Sequence, residues 1–290
     1  MSSSLTIAVA GATGTLGAPV TNALLTAGYK VKILTRSKES SDVLAAYQSK
    51  GAHIVFDAYN GKNLLNSFKG VDILLSTVGA QGADFYNNQV ELVDAANAAG
   101  VKRFVASEFG LDSIKYTRQN DLHFFLTDKA KLRDYIEKSG IEYTYIQNGL
   151  FAEYLPAFGF DLKSKVATIH APPTTQLSIT SLADIGRFTA LALSNSHSRN
   201  ATLRVVGHTA TFQEYVQLFE KATGSKWQLV QDLDARARIA KSADPASQAF
   251  PDFVAYAHTR CVFDANDNAT FGFQPTPVDE VISAVAKSQS

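Results

Sequence analysis

The sequence contains very little cysteine, and this scarcity excludes two kinds of chemistry. Its single cysteine among 290 residues, Cys261, cannot form an internal disulfide. No cysteine and histidine residues are spaced as in a zinc site, so we expect no bound metal. Long hydrophobic runs are missing too, since no apolar segment approaches the ~20 residues that cross a bilayer. We therefore expect a protein that does not enter the membrane.

Net charge is likewise absent. Lysine and arginine together number 27, and aspartate and glutamate also number 27, so the formal charge is zero. General binders of nucleic acid or of membrane surfaces carry an excess of positive charge, so we expect neither partner. The first apolar stretch has no basic segment before it, unlike a secretory signal peptide, and we expect a cytoplasmic location.

Short β-branched runs alternate with amphipathic segments through the first half of the chain. The predicted strands are 5–10, 31–35, 52–56, 71–76, 101–106 and 141–146, and the predicted helices lie near 15–27, 41–49, 62–68, 85–99 and 123–139. Such alternation, with nearly continuous apolar strands, is typical of a parallel sheet covered on both faces. We predict an α/β fold in which 1–150 forms a doubly wound, Rossmann-like dinucleotide-binding domain.

After residue 150 the alternation becomes less regular. Helices are predicted near 181–194, 211–223, 246–257 and 277–287, with a strand near 201–206. We expect 151–290 to form a smaller substrate lobe, with strand 201–206 a candidate to return to the sheet. In doubly wound folds the ligand crevice lies at the carboxyl ends of the parallel strands, so the residues just after them are expected to carry the function.

A glycine-rich turn follows the first predicted strand. Gly11, Gly14 and Gly17 are spaced as in turns that bind the pyrophosphate of a dinucleotide. In such turns the first glycine allows the tight bend, the second lets the backbone approach the phosphates, and the third lets the helix pack on the strand. The helix N-terminus adds free N–H groups. The predicted pyrophosphate-binding residues are Gly11, Thr13, Gly14, Thr15, Leu16 and Gly17.

The residues after the second predicted strand distinguish NADP from NAD. NAD-binding chains usually have an acidic residue there, which holds the ribose 2′-hydroxyl. This chain has Arg36 and Lys38 instead. Arginine clamps a 2′-phosphate through two hydrogen bonds, whereas an acid would repel it. A solvated basic loop is the alternative, but the position and the missing acid together favour NADPH.

A lysine interrupts the apolar face of the predicted helix 123–139. The stripe consists of Leu122, Phe125, Leu126, Leu132, Tyr135 and Ile136. Lys129 falls in its middle, while Lys131 and Arg133 are predicted to lie off it. Burial would lower the pKa of Lys129 and suit it to proton transfer near neutrality. A lysine whose stem follows the apolar face to water fits the spacing equally well. No tyrosine precedes a lysine by four residues, as in ordinary short-chain dehydrogenases, so Lys129 becomes the leading candidate by elimination.

Several segments together resemble the isoflavone reductase-like and NmrA-like branch of the atypical short-chain dehydrogenases. The most diagnostic are Val101–Gly110, which ends in Ser-Glu-Phe-Gly, and Lys-Ala-Lys-Leu-Arg at 129–133. The pattern looks closer to fungal members of the group than to plant ones. Ala106 stands where plant reductases typically have proline, and Asn148-Gly149-Leu150 stands where they have Ser-Asn-Cys.

The resemblance implies an NADPH-dependent reductase of a small aromatic, phenylpropanoid-like substrate, with Lys129 as general acid/base beside the coenzyme. It also implies that Thr77, Val78, Gly79, Asn148 and Phe151 border the nicotinamide and that Ser107, Glu108 and Phe109 lie beside the site. Packing is an equal alternative for Glu108 and Phe109.

The substrate pocket itself is less well defined by the sequence. Phe151, Tyr154, Phe158 and Phe160 are candidates for its wall, with packing between lobes the alternative for the last two. His123 is a candidate to orient substrate, with a surface histidine at the helix start the alternative. Monomer and homodimer both stay open.

Two other functions share this fold. The first is an NmrA-like sensor, which binds NADP(H) without turnover and docks on a transcription regulator. Lys129 on the apolar stripe argues against it, because a sensor needs no proton donor there. The second is an epimerase or ketoreductase, whose usual forms rely on the missing tyrosine–lysine pair. Fold analogy alone does not decide among them.

Overall fold

The computed structural model describes residues 5–36, 41–59, 61, 63–79, 84–241, 244 and 247–288. The strands are β1 (Thr6–Ala10), β2 (Lys30–Thr35), β3 (His53–Phe56), β4 (Ile73–Ser76), β5 (Arg103–Ala106), β6 (Glu142–Gln147), β7 (Leu150–Phe151), β8 (Phe160–Asp161), β9 (Val166–Ile169), β10 (Gln176–Thr180), β11 (Ala201–Arg204), β12 (His208–Thr211) and β13 (Gln228–Gln231). The α-helices are α1 (Gly17–Thr26), α2 (Asp42–Ser49), α3 (Leu64–Ser67), α4 (Phe85–Ala98), α5 (Ser113–Arg118), α6 (Phe124–Ser139), α7 (Leu182–Ser194), α8 (Phe212–Thr223), α9 (Ala235–Ile239), α10 (Ala249–Arg260) and α11 (Val278–Lys287).

Seven strands form the main sheet, in the order β11-β6-β5-β4-β1-β2-β3. The strands from β6 to β3 pair in parallel, and Val9 in the middle of β1 lies opposite Ile33 of β2 and Leu75 of β4. Strands buried on both faces need apolar side chains throughout, which explains their nearly continuous hydrophobic runs. The predicted doubly wound α/β fold is confirmed.

Helix α6 is defined by clear signals at both ends. His123 precedes it in extended conformation, and its Nδ1 accepts a hydrogen bond from the Phe125 amide at 3.2 Å. Gly140 ends the helix in the left-handed conformation, with φ of 78°. Leu132 and Ile136 of α6 join Leu92 and Ala96 of α4 in one hydrophobic cluster with the sheet. This packing fixes α6 beside the carboxyl end of β5.

The chain divides into two compact units that are not consecutive in sequence. The first comprises Met1–Phe109, Ser113–Gln147 and Ile185–Leu203, and the second comprises Gly110–Asp112, Asn148–Asp184 and Arg204–Ser290. A single boundary at residue 150 does not describe these units, because most of α7 and β11 belong to the first. Contacts with the main sheet explain this assignment. Strand β11 lies beside β6, and the buried Arg103 guanidinium of β5 donates to the carbonyl oxygen of Leu193 in α7 at 2.6 Å.

The second unit contains two three-stranded sheets, in the orders β12-β10-β7 and β13-β9-β8. Their strands have two to five residues. Its helix α8 begins with a capping box, in which Thr211 and Glu214 each bond to the other's backbone amide. The aromatic rings of Phe160, Phe219 and Trp227 pack together in this unit.

Candidate functional site

The glycine turn joins β1 to α1, and its glycines meet different constraints. Gly11 has φ of 85°, a left-handed conformation that favours glycine. A Cβ on Gly17 would overlap the Gly11 carbonyl oxygen, so glycine there lets α1 lie against the end of β1. A Cβ on Gly14 would lie 3.3 Å from the same oxygen. Gly14 is exposed together with Thr13 and Thr15, at the open tip of the turn.

Hydrogen bonds from three directions hold this turn. The Gly14 amide donates to the Gly11 carbonyl oxygen at 3.0 Å. The hydroxyls of Thr77 and Tyr47 donate to the carbonyl oxygens of Ala10 and Ala12, at 3.0 and 3.3 Å. Within the described chain no side chain caps α1 at its buried N-cap residue, Leu16. The Ala18 amide donates to the Gly14 carbonyl oxygen at 2.9 Å and Pro19 has no N–H, so an anion at this end of the helix would be met by the amides up to Gly17.

A cleft of about 450 Å³ opens beside the turn. Its lining residues come from the ends of β1, β2 and β3: Gly11, Ala12, Thr13, Ile33, Leu34, Thr35, Arg36 and Tyr59. The guanidinium of Arg36 lies over the Tyr59 ring, 5.1 Å from its centre. Lys38, the other basic candidate, lies outside the described residues. A cleft with an open glycine tip and one basic side chain fits the adenosine and phosphate end of a dinucleotide.

The segment Thr77–Gly79 follows β4 and is tied to its neighbours on both sides. Thr77 bonds to Ala10, as described above, and the Ser107 hydroxyl donates to the Val78 carbonyl oxygen at 2.8 Å. Gly79 is exposed. The segment therefore has a fixed place at the carboxyl edge of the sheet, next to the glycine turn.

Lys129 is buried on the inner face of α6. Its side chain is 6% exposed, and its Nζ donates to the Phe109 carbonyl oxygen at 3.0 Å. Burial lowers the pKa of Lys129 below its ordinary value; Glu108 raises it and Arg133 lowers it further. The stem does not follow the apolar face to water, as the alternative would require. A buried amine with a lowered pKa is suited to exchanging protons near neutrality.

Arg133 also lies on the inner face of α6, so the expectation that it lies off the stripe is wrong. It is 6% exposed and pairs with the buried Glu108 at 3.0 Å between NH1 and Oε1. It lies one helical turn after Lys129, and residues four apart share a face. The Ser113 hydroxyl joins the pair by donating to Glu108 Oε2 at 2.6 Å and accepting from Arg133 at 2.8 Å. The pair anchors the chain immediately before Phe109, whose carbonyl oxygen holds Lys129.

His123 stands at the start of α6, but it is not a surface residue. It is 5% exposed, and its Nδ1 accepts the Phe125 amide hydrogen. An accepting Nδ1 belongs to a neutral imidazole with its proton on Nε2. The histidine is thus part of the helix cap, and its ring packs against Phe124 and Phe125 at 4.4 and 5.3 Å.

The remaining candidates lie in the second unit. Asn148 is buried, and its Oδ1 has no hydrogen-bond partner among the described residues. Phe151 and Tyr154 form an edge-to-face pair at 5.3 Å, and Tyr154 is 38% exposed. Phe158 and Phe160 are buried inside this unit, so they form no open pocket wall. Phe158 packs against Phe250 and Phe253 at 5.7 and 6.2 Å.

The structure brings most of the predicted residues of the first unit to one edge of the sheet. The glycine turn, Arg36, Thr77–Gly79 and the Phe109 carbonyl that holds Lys129 each follow the carboxyl end of a parallel strand. Two features escaped the sequence analysis. Glu108 and Arg133 lie in the two segments that carry the family resemblance, and nothing in those segments indicated that the two residues pair. Tyr59 gives no signal in the sequence.

Among the described residues, no three or more His, Cys, Asp or Glu side chains are grouped to hold a metal ion. None of the helices described is both long and apolar enough to cross a bilayer.

Comparison with known proteins identifies the family. The NmrA-like family model matches residues 3–282. A phenylcoumaran benzylic ether reductase of Pinus taeda is 30% identical over 96% of this chain and 93% of its own. An oxidoreductase of Penicillium oxalicum is 26% identical over 97% of this chain and 94% of its own. The leucoanthocyanidin reductase of Vitis vinifera, solved in a binary complex with NADPH, shares the fold with a TM-score of 0.81 and 24% identity, covering 97% of this chain and 99% of that one. The family predicted from the motifs is confirmed, and the chain belongs to the NmrA-like family.

Proposed function

We propose that this protein is an NADPH-dependent reductase that acts on conjugated or benzylic aromatic substrates, with Lys129 as the proton donor. One observation carries the proposal: a buried lysine, held by the Phe109 carbonyl oxygen at 3.0 Å, lies at the same sheet edge as an open glycine turn. A protein that only binds a dinucleotide has no need to bury an ammonium group there, where desolvation is costly.

The cleft beside the glycine turn supports NADPH as the coenzyme. We assign the pyrophosphate to the exposed tip at Thr13–Thr15 and the amides up to Gly17 at the start of α1, and the 2′-phosphate to Arg36. Among the described residues that line the cleft, none is acidic and would repel this phosphate. The leucoanthocyanidin reductase with the same fold was solved with NADPH. When bound, NADPH would supply a hydride from C4 of its nicotinamide to an electrophilic carbon of the substrate.

The chain's own residues would manage the accompanying proton. Lys129 in its ammonium form donates a proton from Nζ to the oxygen that gains charge as the substrate is reduced, and it regains a proton from solvent. Before that step, the Phe109 carbonyl fixes the direction of the Nζ group. The Glu108–Arg133 pair keeps that carbonyl in place, so both residues act as positioning residues. This arrangement supplies general acid catalysis without a tyrosine.

The substrate class rests on aromatic side chains and on the relatives. Phe151 and Tyr154 are our candidates for contacts with an aromatic ring, because their edge-to-face pair leaves Tyr154 partly exposed. We also assign Asn148 to the coenzyme's nicotinamide side, since its buried Oδ1 has no partner among the described residues. The Pinus taeda relative is a phenylcoumaran benzylic ether reductase.

Steady-state turnover with a panel of aromatic substrates tests the proposal. The panel contains a phenylcoumaran benzylic ether, a furofuran lignan, an isoflavone and a propenylphenol ester, each offered with NADPH and with NADH. We expect NADPH oxidation with at least one substrate, loss of that activity in Lys129→Met, and normal activity in the control Lys131→Met, since Lys131 is exposed on the same helix. Full activity of Lys129→Met would refute the catalytic role. NADPH binding without turnover of any panel member would favour the sensor function instead.

A further inference from the structure

Tyr59 stands where the ends of three parallel strands meet. It follows β3 by three residues, and its ring lies under the Arg36 guanidinium that follows β2. The backbone of Gly11, which follows β1, lies close enough to its hydroxyl to lower the Tyr59 pKa, against the larger opposite effect of burial. One side chain therefore connects the glycine turn to the basic residue of the same cleft.

The ring of Tyr59 is held firmly. It is 7% exposed and belongs to the hydrophobic cluster that contains Ala10, Leu34 and Phe68. Burial raises the pKa of its hydroxyl, so the side chain stays neutral at physiological pH. A neutral aromatic ring fixed by core packing is a rigid platform.

Arg36, in contrast, is exposed and has no ion-pair partner recorded among the described residues. A free arginine side chain samples many rotamers, and ordering it when a ligand binds costs conformational entropy. A guanidinium stacked on a fixed ring is already directed before the ligand arrives, and the ring's electron-rich face attracts the cation. The stack thus reduces the ordering cost for any anion that Arg36 binds.

We infer that Tyr59 is a positioning residue for coenzyme selectivity: it holds Arg36 over the cleft so that the guanidinium meets the 2′-phosphate of an adenine dinucleotide. This inference rests on the proposed function, because it assumes that the cleft binds NADPH. Tyr59 itself need not touch the phosphate. Its effect should appear in the ratio of NADPH to NADH affinity and not in the affinity for both coenzymes alike.

The test measures dissociation constants for NADPH and NADH by fluorescence titration in the wild type and five variants. Tyr59→Leu removes the ring, and Tyr59→Phe keeps the ring but loses the hydroxyl. Tyr47→Phe is the matched control, because Tyr47 is another buried tyrosine that bonds to the same turn, at the Ala12 carbonyl oxygen. Arg36→Ala, alone and combined with Tyr59→Leu, completes a double-mutant cycle.

We expect Tyr59→Leu to lower the preference for NADPH over NADH by about fivefold, the worth of a cation–π contact at an exposed site. Tyr59→Phe keeps the ring and should keep the wild-type preference for NADPH, and Tyr47→Phe should leave that preference unchanged. In the Arg36→Ala background, Tyr59→Leu should have no further effect on the preference. If Tyr59→Leu fails to fold, Tyr59→Met takes its place in the double-mutant cycle. Tyr59→Phe is still expected to keep the preference for NADPH.

Three results would overturn the inference in different ways. If the wild type prefers NADPH strongly and Tyr59→Leu keeps that preference, the role of Tyr59 is refuted and the proposed function stays intact. Equal loss of affinity for both coenzymes would likewise show that the ring only supports the turn. Failure of the wild type to bind either coenzyme would refute the proposed function and the inference together.

Discussion

Lys129 is a titratable residue whose side chain is almost completely buried. Its 6% exposure and its bond to the Phe109 carbonyl oxygen show that the helix directs it inward. Because burial disfavours the charged form, the pKa of Lys129 falls below that of an ordinary lysine. An exposed lysine holds its proton tightly at neutral pH, because neutral pH lies far below its pKa. Lys129 exchanges its proton at a lower pH, which is the property that a general acid requires.

The same burial predicts a cost in stability that is measurable. Lys129→Met keeps the volume of the stem and removes the desolvated charge, so the free energy of unfolding at neutral pH should rise by about 1–2 kcal/mol. In the pH range between the lowered pKa of Lys129 and the ordinary lysine pKa, Lys129 is protonated in the unfolded chain and neutral in the folded chain. The free energy of unfolding of the wild type therefore rises with pH across this range. The advantage of the variant should shrink over that window.

Urea unfolding of the wild type, Lys129→Met and Lys131→Met checks this prediction. Lys131 is exposed, so its replacement should change the free energy of unfolding by less than about 0.5 kcal/mol. A large destabilisation by Lys129→Met would mean that the lysine supports the fold, and the argument for a catalytic role would lose its physical basis.

At the scale of single elements, α10 is joined to the 3₁₀ helix Ala152–Phe158 through one buried histidine. His258 accepts the His170 amide hydrogen at Nδ1 and bonds to the Phe158 carbonyl oxygen through Nε2, both at 3.0 Å. The ring is fully buried, and burial lowers the pKa of His258 to about 4, with neighbouring His170 lowering it further. Protonation would break the Nδ1 bond to the His170 amide but keep the Nε2 bond to Phe158, so the neutral ring is needed to hold α10 to the end of β9.

Acid should therefore destabilise this connection. Between pH 6.5 and about 4 the unfolded chain binds a proton at His258 and the folded chain does not, so stability falls as the pH falls through this window. The expected loss is about 3 kcal/mol. His258→Gln should be less stable at neutral pH but should show a flatter dependence on pH than the wild type.

Denaturant unfolding across this pH range, with the exposed His197→Gln as control, measures the effect. The control should keep the wild-type slope. If His258→Gln also keeps it, the acid sensitivity arises elsewhere and the pH-dependent coupling of α10 to the end of β9 through His258 is refuted.

Element positions in the first unit were predictable because periodicity and capping agree there. The pattern for α6 locates the helix and puts Lys129 on its apolar face, but it left open whether the amine is buried or reaches water; Gly140 marks the end of the helix. The same pattern treats each polar residue as a surface residue, which is why Arg133 and His123 were misplaced. Arg133 is buried because Glu108 neutralises it, and His123 because it caps the helix. Both depend on partners that a one-dimensional pattern does not contain.

At the scale of the whole molecule, the parallel sheet could be predicted from the alternation of strands and helices in the sequence, whereas the sheets of the second unit could not. Strands such as β7 and β8 have two residues each, too few for any periodicity. Their pairings are set by contacts between distant segments, as when Ile179 of β10 pairs with Leu150 of β7. Tyr59 escaped prediction for the same reason, because its role exists only once three strand ends meet.

The most direct test of the central claim follows the hydride itself. NADPH carrying deuterium at C4, in separate pro-R and pro-S preparations, is incubated with wild-type protein or Lys129→Met and the aromatic panel, and products are examined by mass spectrometry. We predict deuterium in one product from one preparation only, and none with Lys129→Met, although that variant still binds NADPH. Tight NADPH binding by the wild type without deuterium in any product, or an equally labelled product from Lys129→Met, would contradict this account.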